Sequence, residues 1–155
     1  MPQVEARIRV PVSPALAFAV SQTTGATRLR WDPFIRRQHF LDGATAPAKG
    51  VRTRTWSRVG PRMDSQYVSY RPPTSVGMTM VDGPWFFDSF GGGWRFVATD
   101  GGTEATWKYT FSTRPGWLRP IADRIGTALL QREIQARIDA FAKACTDPVV
   151  LAAVR

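Results

Sequence analysis

Cysteine and histidine are almost missing from this chain. A single cysteine, Cys145, excludes an intramolecular disulfide, and with one histidine, His39, it leaves too few of the usual ligands for a zinc cage. No metal is expected. Long apolar runs are missing too. None approaches the ~20 residues that cross a bilayer, and the opening MPQVEARIRV lacks the continuous apolar stretch of a secretory leader. A reducing cytoplasm is the expected compartment. There is no P-loop, no GxGxxG turn and no nucleophile elbow, so no cofactor is expected. Lysine is scarce, three against eighteen arginines, in a chain of net charge +9. Such an excess raises encounter rates with anionic partners. The arginines are spread over many segments, however, and no block of five or six like charges forms a nucleic-acid tail. Nucleic acid is not expected as a partner.

What is present is a succession of short, well-punctuated elements. Val4, Ala6, Ile8 and Val10 alternate with Glu5, Arg7 and Arg9, the period of a half-buried strand. Ser13-Pro14 starts a short helix with an apolar face of Leu16, Ala19 and Val20, and 27–31 adds a further helical turn before Asp32-Pro33. From 34 to 113 the signals are those of strands: 34–41, 51–59, 63–70, 75–81, 86–99 and 103–112, with Gly, Pro or Asp at each break. Connections this short favour antiparallel neighbours. Gly91-Gly92-Gly93 is expected to make a bulge or sharp bend rather than a phosphate-cradling loop, since no helix start follows it.

The period then changes. Ile121, Ile125, Leu129 or Leu130, Ile134, Ile138, Phe141 and Cys145 recur every three to four residues, which predicts an amphipathic helix over 118–144. Arg124, Arg132, Glu133, Arg137, Asp139 and Lys143 are assigned to its outer side. The class is α+β: a curved antiparallel sheet of about seven strands, with one or two short helices after the first, packed on a long C-terminal helix. One domain is expected over 1–146, with a mobile tail at 147–155.

These patterns together resemble the START-like or helix-grip superfamily, and within it the polyketide cyclase/dehydrase and lipid-transport group. The resemblance runs over about residues 3 to 145. It is carried by VEARIRVPVSP, RLRWDPF, the Gly60-Pro61 turn, RPPTSVGMTMVDGPW, DGGTEATWKYTF and IADRIGTALLQREIQARIDAF. It implies a sheet gripping a helix around a cavity for lipids, polyketides or similar aromatic and isoprenoid molecules. The function expected is binding or carriage of a small apolar ligand. The alternatives are a polyketide cyclase or aromatase acting on a bound chain, and a partner- or RNA-associated protein using its basic surface.

Alternation selects the candidate walls. Met78, Met80, Phe86 and Phe90 share inward faces with Trp94, Trp107 and Tyr109. Ile121, Ile125 and Leu129 face them from the helix. Trp56 shares a face with Arg52, Arg54 and Arg58 and is expected outside, stacked on arginine. No catalytic residue is expected: His39 and Asp32 are the candidates for a general base and an acid, but Asp32 is read first as a turn residue. No partner stands at a recognisable spacing from either.

Overall fold

The computed structural model describes all residues, 1–155. Seven strands form one antiparallel sheet: β1 (Gln3–Val10), β2 (Ile35–Phe40), β3 (Arg52–Ser57), β4 (Arg62–Arg71), β5 (Ser75–Asp82), β6 (Phe87–Thr99) and β7 (Gly102–Thr113). Their order is β1-β7-β6-β5-β4-β3-β2. Two short helices, α1 (Pro14–Ser21) and α2 (Gly25–Trp31), carry the chain from one edge of the sheet to the other. Ser13 caps α1 by accepting from the Leu16 amide at 3.3 Å, and Pro14 occupies its first turn. The side chains α1 buries are Ala17, Phe18, Val20 and Ser21, so its inner face is turned from the expected Leu16 and Ala19.

The triple glycine is not a bulge. Gly91, Gly92 and Gly93 pair with both β5 and β7, and the ladder slips instead between Phe87 and Ser89. Glycine is required because the strands approach closely. A Cβ on Gly93 would lie 2.2 Å from the Val76 carbonyl oxygen, and one on Gly92 2.5 Å from that of Lys108.

The long helix α3 (Arg119–Ala144) lies against β1 and β7. Its two halves differ. Ile134, Ile138 and Phe141 are fully buried among Trp94, Trp107 and Phe111, with the Phe141 ring 4.7 Å from that of Trp94. Before Ile134 no residue of α3 is buried. Ile121, Ile125 and Leu129 are 62%, 56% and 61% exposed, because the half-buried inner stripe here is Ala122, Gly126 and Leu130, with Gly126 against Phe111, and the three lie on its flank. The start of α3 is held by Asp123, whose Oδ1 accepts from the Thr113 amide at 3.2 Å and hydroxyl at 2.6 Å.

The expected mobile tail is instead a helix, α4 (Pro148–Val154). Asp147 caps it through the Val149 amide and pairs with Arg30 at 2.7 Å, while Val150 is fully buried against the domain. A cap, a first-turn proline and one apolar anchor suffice to dock these seven residues on α1.

The division of α3 has a measurable consequence. Ile134→Ala should lower the unfolding free energy by roughly 2–5 kcal/mol, and Ile121→Ala by less than about 0.5 kcal/mol. Urea denaturation followed by circular dichroism measures both, and equal costs would contradict the division.

Candidate ligand cavity

The site grows from one side chain of α3. Ile134, Arg137, Ile138 and Phe141 stand at i, i+3, i+4 and i+7, so Arg137 belongs to the stripe that meets the sheet. It is 7% exposed, not on the outer side. Its guanidinium lies 4.2 Å from the Trp107 ring on β7 and 4.7 Å from the Phe34 ring just before β2. One cation thus bridges residues near opposite edges of the sheet. The sheet can touch it from both sides only by curling.

Arg137 donates from Nε and Nη2 to the two oxygens of Asp32, at 3.1 and 2.7 Å, and from Nη1 to the Tyr109 hydroxyl. Arg28, one turn before Asp32 on α2, donates from Nε to the same carboxylate at 2.9 Å and from Nη1 to the Ser21 carbonyl at 2.6 Å. The Phe34 amide donates to Asp32 Oδ1 at 3.0 Å, the turn role expected of this residue. Burial alone would raise the Asp32 carboxyl. The charges of Arg137 and Arg28 outweigh it and hold this carboxyl well below the ordinary carboxylate range. With every acceptor position occupied, Asp32 is a counter-ion and has no free lone pair to serve as an acid or base. Burial likewise pushes the Tyr109 hydroxyl well above its usual value and Tyr67 up to about 12, so both remain protonated donors.

Between this cluster, the concave face of the sheet and the first half of α3 lies a cavity of about 960 Å³. Met78, Met80, Phe86, Phe90, Trp94, Trp107 and Tyr109 line it from the sheet, as alternation predicts. Ile125 and Leu129 line it from the helix. Ile121 does not: it sits a turn nearer the helix start, where its side chain points to solvent. Asp32 is absent from the wall, screened by Arg28 and Arg137. His39 reaches the lining from edge strand β2, but it is exposed, with Nδ1 3.0 Å from the Phe40 carbonyl and its ring beside Trp56. Trp56 itself lies outside the cavity, with the Arg37 guanidinium 4.9 Å above its ring. Trp85, Phe86, Ile125 and Leu129 leave much apolar surface exposed at or next to the lining.

Several lining residues escape the alternation argument. Arg28, Arg137 and Glu133 enter the wall, and Glu133 is the only carboxyl in it. It makes no hydrogen bond or ion pair, and burial raises its pKa against the pull of Arg137. Ser57, at the end of β3, places a buried hydroxyl in the wall with no partner. The signal for Arg137 and Glu133 was the stripe itself, since Glu133 precedes Arg137 by four residues.

With this geometry in place, comparison with known proteins is decisive for the family. The model for polyketide cyclase/dehydrase and lipid transport proteins matches residues 1–146. The chain belongs to this family. Among solved structures, the family member is similar to the ZhuI aromatase/cyclase from Streptomyces sp. R1128, with a TM-score of 0.79 at 17% identity over 96% of this chain and 95% of that one. A protein from Thermus thermophilus gives 0.77 at 16% identity, covering 99% and 100%. A START superfamily protein from Mycobacterium smegmatis gives 0.72 at 11%, covering 93% and 97%. At these identities the likeness concerns the fold alone. No curated protein matches the chain by sequence. No helix is long and apolar enough to cross a membrane.

Asp32→Asn should cost about 3–5 kcal/mol, since it leaves two buried guanidiniums without a counter-ion. The pH dependence follows from the sign of the shift. A carboxyl depressed in the folded state contributes its full stability above the unfolded value, about 3.9, and loses it as pH falls toward the folded one. The gap between wild type and Asp32→Asn in urea denaturation should therefore be constant from about pH 5 to 7 and narrow below about pH 4. A gap independent of pH would show that Asp32 is not ionised in the fold.

Proposed function

We propose that this protein binds or carries a small, predominantly apolar molecule, such as a lipid, a polyketide or a related aromatic or isoprenoid compound, between its sheet and the first half of α3. The observation that carries this reading is the cavity of about 960 Å³ with thioether and aromatic walls. Methionines adapt to guests of irregular outline. Each Å² of apolar guest surface removed from water contributes on the order of 25 cal/mol. Family membership supports the same reading.

A second reading, an aromatase- or cyclase-type enzyme, is favoured by the likeness to ZhuI and by the unpartnered Glu133 carboxyl in the wall. Positioning a flexible chain in a dry cavity lowers its barrier to ring closure, and Glu133 is the group that could move a proton. The carrier remains the leading reading because Asp32 is saturated and His39 stands exposed on an edge strand. A linear poly-β-ketone thioester recovered unchanged from the protein supports the carrier. Catalysed ring closure, lost in Glu133→Gln, supports the enzyme.

Binding itself is tested with a panel of fatty acids and aromatic polyketides, titrated calorimetrically into wild type and Met80→Trp. The indole should fill the space between Met78 and the helix, so wild type should bind members of the panel saturably and the variant at least tenfold more weakly. No binding by wild type, or equal binding by a folded Met80→Trp, would refute the site.

A further inference from the structure

We propose that the buried end of the cavity is an anion site, and that the guest is an amphiphilic acid whose carboxylate docks against Arg28 and Tyr109. This deepens the reading of the cavity as a ligand site and rests on it.

The cluster is unbalanced in charge. Three charged groups are buried together there, Arg28, Asp32 and Arg137, beside the neutral Tyr109 hydroxyl. Two guanidiniums, which stay charged in proteins, face one carboxylate, so the trio carries one uncompensated positive charge. A buried charge without a partner is costly. Glu133, the only carboxyl in the lining, attracts Arg137 through space but forms no ion pair with either arginine. The imbalance falls on Arg28. Burial and the neighbouring Arg137 pull its guanidinium below the usual value despite Asp32, whereas Asp32 and Tyr109 hold Arg137 above it against the effect of burial.

The hydrogen bonds of the cluster are unbalanced as well. Asp32 already accepts from Arg28, from Arg137 twice and from the Phe34 amide. Arg137 spends Nε and Nη2 on Asp32 and Nη1 on Tyr109. Tyr67 donates to Gln22 at 3.1 Å. Within the cluster what is left over consists of donors: both N–H of the Arg28 Nη2, which has no partner in the chain, the second N–H of the bonded Nη atoms, and the hydroxyl proton of Tyr109, whose oxygen accepts from Arg137; the free acceptors of the wall belong to Glu133. Arg28 and Tyr109 both line the cavity. A neutral hydroxyl would meet these donors with one oxygen and leave the charge in place. A carboxylate meets both with two oxygens and cancels it, and charge-assisted bonds of this kind are about twice as strong as neutral ones. The apolar walls of Met78, Phe90 and Trp94 then take the chain or rings behind the acid.

The test compares two probes that differ only in head group, dodecanoate and dodecan-1-ol, titrated calorimetrically at pH 8. Wild type should bind the acid roughly tenfold or more tightly than the alcohol. Arg28→Gln leaves Asp32 paired one-to-one with Arg137 and should erase that ratio. Glu133→Gln removes the one competing carboxyl of the wall and should increase it, which keeps the question decidable if the Arg28 variant fails to fold. Equal affinity for acid and alcohol in wild type, a ratio that survives in folded Arg28→Gln, or a ratio that falls in Glu133→Gln would overturn the anion site while leaving an apolar cavity. Failure of both probes and of the wider ligand panel would instead remove the cavity reading, and the anion site with it.

Discussion

The bond between Arg137 and Asp32 joins the two ends of the chain. Asp32 closes the short helices, 105 residues before Arg137 on the last long one. Their two-point contact sets the rotation of α3 that turns Ile134, Ile138 and Phe141 toward the sheet. It also holds the guanidinium between Trp107 and Phe34. Buried ion pairs contribute little net stability compared with well-packed apolar residues, yet losing one partner is costly. The pair therefore acts through geometry. It selects one seating of helix on sheet and makes any seating that separates the two charges unfavourable.

From that seating the cavity follows. The C-terminal half of α3 fills the concave face with aliphatic and aromatic side chains. The N-terminal half touches the sheet through Gly126 and Leu130, while Ile125 and Leu129 beside them border the hollow. Gly91, Gly92 and Gly93 matter here because they let β5, β6 and β7 approach more closely than side chains would allow. The same strand then carries Trp94 and Phe96 into the packed region. One strand thus contributes bare backbone to the hollow and large rings to the core.

Much of this was legible in the sequence because periodicity is a local property. Period two gave the strands and their inward faces, Trp107 and Tyr109 among them. The three-to-four spacing gave α3. What periodicity lacks is range. Over the first turns it does not separate adjacent stripes: in the fold Ala122, Gly126 and Leu130 are the half-buried positions, and Ile121, Ile125 and Leu129 stand exposed on the flank. Charge misled in a different way. Arg137 and Glu133 were assigned outward by type, although position 137 belongs to the apolar stripe, since the carboxylate that makes burial of Arg137 tolerable lies far away in sequence. The tail was misread for the converse reason: a short apolar segment has no periodicity to read, and only the docked Val150 reveals that it is part of the domain.

The first half of α3 is a beam supported at both ends. At one end stand the two hydrogen bonds from Thr113 to Asp123, and at the other the packed side chains from Ile134 onward. Displacing the span between them would uncover Phe111, on which Gly126 packs, and part of Leu130, but none of the span's own residues is fully buried. Its resistance to that motion is therefore lower than that of the packed half, toward the low end of the range of local opening energies. Local opening of this span and unfolding of the domain are consequently separate processes. A substitution at the Asp123 support alters the first while leaving the second to Ile134, Ile138 and Phe141.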